Sequence, residues 1–170
     1  MADEDTTMPN AISTDFNNGD LLSKFSDGDV SFLLIGGAAV AFYGCREDLY
    51  LPELDILIDP AIQNAERVMA VLSAVGMKLW IRAEDLAGPK KQLPVKQLLF
   101  DMDILTPAAG ENFSAMLARS MQGTVSGSAV RVIARDDLIA MKRVAANDHN
   151  ADMEKHRRDL DCLTRREWPP

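Results

Sequence analysis

The chain has 170 residues, of which 47% are hydrophobic, which is enough for one core but not for a second full domain. Its 18 basic and 26 acidic residues give a formal net charge of −8, which argues against a broad nucleic-acid or anionic-membrane surface. A local basic groove is still compatible with that charge. The acidic N-terminus MADEDTTMPN does not resemble a secretion signal, and no apolar run is long enough to span a bilayer.

The two cysteines, Cys45 and Cys162, are far apart in the sequence and form no CxxC pair. This spacing suggests neither a disulfide framework nor a zinc site. A reducing compartment fits best, so we expect a cytoplasmic protein with no membrane partner.

The first predicted elements lead to a glycine turn. We expect a mobile arm at residues 1–18 and a single domain at residues 19–165, followed by a tail at 166–170. Within the domain, Leu21, Leu22 and Phe25 have helical spacing, and the continuous apolar run 31–35 predicts a buried strand. Gly36 and Gly37 then open an alanine-rich helix that ends at Gly44, a natural C-terminal cap.

The middle of the chain alternates between strand and helix patterns. Residues 53–58, ELDILI, predict a second strand, and the three-and-four spacing of apolar residues in 61–75 predicts an amphipathic helix. Residues 77–81 predict another strand, with Trp80 in the core. A long loop is expected at residues 82–94, and long loops in compact domains are often functional.

The last third supplies one more acidic strand and the helical cover. Residues 95–105, VKQLLFDMDIL, predict a strand, and residues 113–121 predict a short helix. An edge strand is expected at 130–133. Helices are expected at 136–146, where the acidic first turn suits the helix dipole, and at 151–163. Together these elements predict an α/β domain with a mixed sheet of about four or five strands, helices mainly on one face, and an acidic cleft.

The acidic residues in two of these strands indicate a metal site. Glu53 and Asp55 are two residues apart, so their side chains leave the same strand face about 6.5–7 Å apart. Asp103 on a separate strand completes a set of three carboxylates if the two strands are neighbours. Hard oxygen ligands of this kind suit Mg²⁺ or Mn²⁺. A pair of such ions can activate an attacking hydroxyl and stabilise a leaving pyrophosphate.

The glycine turn adds a candidate phosphate site. Free backbone N–H groups at Gly36 and Gly37, where a helix begins, are suited to bind phosphate. A phosphate cradle beside a metal cluster predicts a nucleotide site. Each signal has an ordinary structural alternative, because paired glycines often serve only close packing and alternating acids often form a solvated strand face. Lys142 would by default be a solvated helix lysine.

The order of these motifs resembles a known family. LIGGAAVAFYG, then ELDILID, then FDMDILT, is similar to the nucleotidyltransferase superfamily with the DNA polymerase beta-like fold. The downstream runs DDLIAMKRVA and KHRRDLDCL resemble the AbiEii-like branch of bacterial toxin nucleotidyltransferases or its single-domain relatives. The resemblance covers residues 33–163.

The resemblance implies transfer of a nucleoside monophosphate from a nucleoside triphosphate to a hydroxyl on RNA, protein or a small molecule, with Mg²⁺ or Mn²⁺ as cofactor. It also implies a cognate antitoxin as a possible partner. Asp103 would be the third carboxylate and candidate base, and Lys155 and Asp159 would match polar positions of the last helix. The implied ligand sets are Gly36, Gly37 and Lys142 for the triphosphate, and Glu53, Asp55 and Asp103 for the metals.

Three departures from the family pattern favour an alternative. The family has aspartate where this chain has Glu53, and many members have arginine and threonine where this chain has Leu49 and Leu51, so Arg46 is a candidate substitute. His156 replaces an aspartate that often follows the lysine. The alternative is a catalytically inactive protein of the same fold that binds a nucleotide or a partner. The carboxylates alone would also permit a metal-dependent phosphohydrolase.

Overall fold

The computed structural model describes residues 11–149, 152–165 and 167. In this part of the chain, helices and strands together form one α/β domain. The helices are α1 (Phe16–Asp27), α2 (Gly36–Phe42), α3 (Ile62–Ala74), α4 (Ala83–Leu86), α5 (Phe113–Arg119), α6 (Arg135–Ala146) and α7 (Met153–Arg165). The strands are β1 (Phe32–Ile35), β2 (Leu54–Ile58), β3 (Gln92–Val95), β4 (Met102–Leu105), β5 (Met121–Val125) and β6 (Ser128–Val132).

The strands form one mixed sheet in the order β3-β4-β2-β1-β6-β5. The central pairs are antiparallel β1–β2 and parallel β2–β4, while β1 and β6 are also parallel. Antiparallel hairpins, β3–β4 and β5–β6, complete the two edges. The predicted α/β class and mixed sheet are confirmed, and the six strands slightly exceed the predicted four or five.

Alternation along the strands separates an apolar face from the face that carries the acids. On the apolar face, Phe32 packs against α1, with its ring centroid 6.1 Å from that of Phe25. Val71 of α3 contacts the end of α1 near Gly28, so α1 and α3 cover this side. Asp55 and Asp103 point to the opposite face, where α6 and α7 lie over the sheet.

Two predicted strands were wrong. Residues 77–81 contain no strand, and Trp80, expected in the core, is 94% exposed. The run 95–105 is not one strand, because β3 ends at Val95 and β4 begins at Met102. Between them, Leu98 and Leu99 adopt positive φ angles of 52° and 67°, which form a turn that their apolar character does not predict.

Two further assignments change at the other edge. Residues 130–133 were predicted as an edge strand, but β6 lies between β1 and β5. The helix predicted at 113–121 ends at Arg119, and β5 starts at Met121. The sequence of β5, MQGTV, has a central glycine and few β-branched residues, so propensity gave no strand signal. Pairing with β6 overrides that weak propensity.

The cysteine spacing did not suggest a disulfide, but Cys45 and Cys162 form one, with a Cα–Cα distance of 5.9 Å. The separation of 117 residues in the sequence does not prevent this pairing, because α7 packs beside the loop after α2. Cysteine usage therefore no longer supports the predicted reducing, cytoplasmic location. None of the helices in the described part of the chain combines the length and the apolar character that a membrane span requires.

The structure describes only part of the predicted N-terminal arm. Ile12 is buried and forms a bridge to Val125, and Ser13 forms one to Tyr50. Helix α1 begins at Phe16, so residues 12–18 pack on the domain. Residues 1–10, and all of the predicted tail except residue 167, lie outside the described residues.

Candidate active site

The site is built around two carboxylates on neighbouring parallel strands. Asp55 of β2 and Asp103 of β4 are register partners, and Ile35 at the end of β1 is the antiparallel partner of Asp55. Neighbouring strands lie about 4.8 Å apart, so the two acidic side chains leave the same face side by side. The condition stated from sequence, that the two acidic strands are neighbours, is met.

The glycine turn lies directly against Asp55. Gly36 has a φ of +62°, and a Cβ at this position would overlap the Asp55 carboxylate, coming within 2.8 Å of its Cβ and Cγ. Only glycine therefore combines this backbone conformation with this close approach. Gly37 has more room, because the nearest atom to a Cβ there would be Leu51 Cδ1 at 3.7 Å.

The two acids are in an environment that favours a cation. Burial raises the pKa of Asp55, and the neighbouring Asp103 charge raises this pKa further, while Lys142 and Lys155 lower it. Asp103 Oδ1 is buried and has no hydrogen-bond partner among the described residues. A buried carboxylate oxygen without a partner is costly, and a bound cation would satisfy it.

The predicted third carboxylate is placed differently. Glu53 precedes β2, its side chain is 73% exposed, and its Oε1 lies 3.9 Å from Lys96 Nζ. Lys96 also binds Asp101, at 2.6 Å. Within the described residues, no three acidic, histidine or cysteine side chains are grouped closely enough to hold a metal. A metal role for Glu53 therefore remains a prediction.

The remaining pair of acids still fits Mg²⁺ or Mn²⁺. Mg²⁺ is commonly held by one or two carboxylates together with substrate phosphates and waters. Asp55 and Asp103 supply two carboxylates on one face, and the unbonded Asp103 oxygen is available. These two residues would hold the ion, and substrate oxygens would complete its ligands.

Lys142 faces the acids from α6. It is only 6% exposed, and its Nζ donates to Asp159 Oδ2 at 2.9 Å and lies 3.3 Å from His156 Nδ1. Burial and the Lys142 charge lower the pKa of His156, so the neutral ring can accept this hydrogen bond. The default prediction from the sequence was a solvated Lys142 side chain. In the structure this side chain is buried beside the cleft.

Arg46, proposed from sequence as a substitute for a missing arginine, lies behind Lys142. Its Nη2 is 2.8 Å from Asp159 Oδ1, so Arg46 and Lys142 share this buried carboxylate. Arg46 is not among the residues that line the cleft. Its direct contact with a nucleotide remains a prediction.

These groups line an open cavity of about 560 Å³ between the acidic sheet face and the two C-terminal helices. Its volume is within the range of small-molecule sites. Apolar side chains from α6 and β4 form part of the wall. The polar and glycine residues that line it are Gly36, Asp55, Gln92, Asp103, Lys142 and His156.

Sequence reasoning missed Asn18, which supports the site from below. Its side chain is fully buried, donates to Pro52 O at 2.7 Å and Asp101 O at 3.1 Å, and accepts from Asp101 N at 2.9 Å. Pro52 and Asp101 lie just before the strands that carry Asp55 and Asp103. An asparagine after a polar N-terminus carries no local signal for this role.

Comparison with solved structures identifies the fold. The chain is similar to a lincosamide antibiotic adenylyltransferase, LnuA, solved with lincomycin bound, at a TM-score of 0.56 and 14% identity. That alignment covers 91% of this chain and 98% of LnuA. An antigenic nucleotidyltransferase-like protein from Paracoccidioides brasiliensis aligns at a TM-score of 0.55 and 10% identity, covering 86% of this chain and 73% of that one.

No protein-family model and no curated protein sequence matches the chain. At these identities, the structural likeness shows a nucleotidyltransferase fold. A shared fold supports many activities, so the activity has to be argued from the site itself.

Proposed function

We propose that this protein is a metal-dependent nucleotidyltransferase that transfers a nucleoside monophosphate from a nucleoside triphosphate to a hydroxyl. The observation that carries the proposal is the pairing of Asp55 with Asp103 on adjacent strands, against the Gly36 turn and opposite a buried lysine. This arrangement brings together groups that can bind a metal ion, bind a triphosphate and accept a proton. The two similar solved structures, an adenylyltransferase and a nucleotidyltransferase-like protein, are consistent with this proposal.

Each group has a proposed task. Backbone N–H groups at Gly36 and Gly37 bind triphosphate oxygens, and the Lys142 ammonium neutralises charge on the phosphates. Asp55 and Asp103 hold Mg²⁺ or Mn²⁺. When bound, the ion supplies positive charge at the reacting phosphate and its leaving group.

The reaction requires one proton acceptor. The acceptor oxygen forms a bond to the α-phosphorus, and the bond from that phosphorus to the bridging oxygen breaks, so pyrophosphate leaves. Asp103 is the candidate base for the hydroxyl proton, because a carboxylate has two oxygens and can bind the ion through one while the other accepts the proton.

The acceptor class is a further part of the proposal. LnuA is an adenylyltransferase that acts on a lincosamide antibiotic, which supports a small-molecule hydroxyl as one acceptor. The resemblance of the C-terminal runs to AbiEii-like toxins supports RNA or protein instead, with a cognate antitoxin as partner. Incubation with α-labelled triphosphates and each acceptor class would identify which one receives the label.

Calorimetric titration with nucleoside triphosphates and Mg²⁺ tests the binding site. The wild type is expected to bind, and Asp55→Ala is expected to lose most of that affinity, because the ion loses one of its two protein ligands. Glu66→Gln, on the exposed side of α3, is the matched control and should bind as the wild type does. Failure of the wild type to bind, or unchanged affinity in Asp55→Ala, would contradict the proposal.

The outward position of Glu53 favours the second candidate, an inactive protein of the same fold that binds a nucleotide or a partner. Transfer of label that disappears in Asp103→Asn would exclude this candidate. Binding without any transfer would support it. Release of orthophosphate instead of pyrophosphate would indicate the phosphohydrolase alternative.

A further inference from the structure

Asp159 is the most deeply buried acidic group near the cleft. It is 3% exposed, and its two oxygens bind cations from two different parts of the chain. Lys142 of α6 donates to Oδ2 at 2.9 Å, and Arg46 Nη2, from the loop after α2, donates to the same oxygen at 2.9 Å and lies 2.8 Å from Oδ1. A buried carboxylate shared in this way fixes the direction of both cationic side chains.

The disulfide lies next to both ends of this network. Cys45 directly precedes Arg46, and Cys162 follows Asp159 by three residues, about one turn along α7. The covalent bond therefore holds the loop and α7 together at the point where Arg46 meets Asp159. Both cysteines are partly exposed.

Of the two cations that share Asp159, Lys142 is the one that lines the cavity. Its Nζ binds Asp159 and lies near His156 Nδ1, and both of these partners belong to α7. Lys142 lines the cavity together with Asp55 and Asp103, whereas Arg46 does not. Any displacement of α7 would therefore move the two groups that orient the lysine.

We propose that Asp159 is a positioning residue for Lys142, and that the Cys45–Cys162 disulfide holds Asp159 in place, so that triphosphate binding depends on the redox state of the protein. The ligand named here rests on the proposed function, but the positioning of Lys142 does not. Reduction loosens the attachment of α7 and weakens the alignment of the lysine with the cleft.

The redox step is a thiol–disulfide exchange. A dithiol reductant attacks one sulfur, the bond between the two cysteine sulfurs breaks, and the reductant leaves as its cyclic disulfide. The protein gains two electrons and two protons and carries two free thiols.

The first test measures Lys142 directly, without a nucleotide. Oxidised and reduced protein are treated briefly with an amine-reactive acetylating reagent, and modification at each lysine is measured by mass spectrometry. Lys142 should react about tenfold faster after reduction, because it loses a charged hydrogen-bond partner. The exposed Lys90 is the internal control and should react equally in both states. Unchanged reactivity of Lys142 would overturn the proposal.

The second test measures binding of inorganic tripolyphosphate with Mg²⁺, under conditions where circular dichroism shows both forms to be folded. The reduced wild type and Cys45→Ser/Cys162→Ser should bind about tenfold more weakly than the oxidised wild type. In Lys142→Gln the effect of reduction on binding should disappear, because the lysine through which the disulfide acts on the cleft is absent. A redox effect that persists in Lys142→Gln would indicate general loosening and overturn the proposal.

Asp159→Asn provides a conservative variant that keeps the shape but removes the charge. It should weaken tripolyphosphate binding and make it independent of redox state, since Lys142 is no longer held by a carboxylate. If oxidised wild type fails to bind tripolyphosphate or nucleotides, the proposed function fails. The lysine reactivity still decides whether Asp159 and the disulfide position Lys142.

Discussion

At the scale of single residues, the site combines groups that oppose stability with a glycine that no other residue can replace. Asp55 and Asp103 are brought side by side, and one oxygen of Asp103 is left without a protein partner among the described residues. Such an arrangement costs stability in the absence of a cation. The proposed metal site would account for this cost.

Asp55→Asn is expected to stabilise the protein at neutral pH, because the amide carries no charge to bury beside Asp103. Because the pKa of Asp55 in the folded state is raised above 3.8, the folded state binds more protons between the two pKa values, and stability falls as pH rises through that interval. The gain in Asp55→Asn should therefore be full above the folded-state pKa and vanish below pH 3.8.

Urea unfolding at several pH values measures this effect. Glu66→Gln serves as the control for loss of one carboxylate on the surface. A gain in Asp55→Asn that does not depend on pH would show that the carboxyl charge is not its cause.

The two glycines should respond differently to the same substitution. Gly36→Ala places a Cβ into the Asp55 carboxylate at a positive φ and should cost about 3 kcal/mol, with loss of nucleotide binding. Gly37→Ala finds ordinary contact distance within α2 and should keep stability within about 1 kcal/mol. Thermal unfolding of both variants tests this contrast, and equal losses would contradict it.

At the scale of elements, α1 connects the loops that lead into the two acidic strands. Asn18 is the residue that makes this connection, through hydrogen bonds to Pro52 and Asp101. Strand β2 was predictable from its alternation of apolar and acidic residues, whereas β4 was predicted only as part of a longer strand over 95–105. Their alignment depends on a polar residue far away in the sequence, which no local pattern indicates.

Asn18→Ala is expected to lower the free energy of unfolding by about 3 kcal/mol, because buried groups of Pro52 and Asp101 lose their partner. It should also weaken nucleotide binding by allowing the acidic strands to shift. Asn17→Ala, one position earlier on the same helix and partly exposed, should change stability by less than about 1 kcal/mol. Chemical denaturation compares the two variants, and similar losses would remove the special role of Asn18.

At the scale of the whole molecule, one covalent bond joins the N-terminal half to the last helix. The disulfide connects residues separated by 117 positions, so it restricts the unfolded chain strongly. It complements the sheet, which holds the strands together but does not include α7.

Loss of the disulfide in Cys45→Ser/Cys162→Ser should therefore cost about 3 kcal/mol and lower the melting temperature by about 10 °C. Calorimetry of oxidised and reduced wild type and of the double variant measures this. The reduced wild type should melt close to the double variant. Identical melting temperatures in all three forms would show that the bond does not form in solution.

The sequence alone determined the strand, glycine turn, helix and acidic strand from Phe32 to Ile58, because alternation, helical spacing and glycine turns depend on neighbouring residues. It also predicted that Asp55 and Asp103 would meet if their strands were adjacent. Tertiary structure decided that they are adjacent, that Glu53 turns toward Lys96, and that Lys142 is buried against Asp159. It also decided the pairing of the cysteines, since contacts between distant residues depend on how the elements pack.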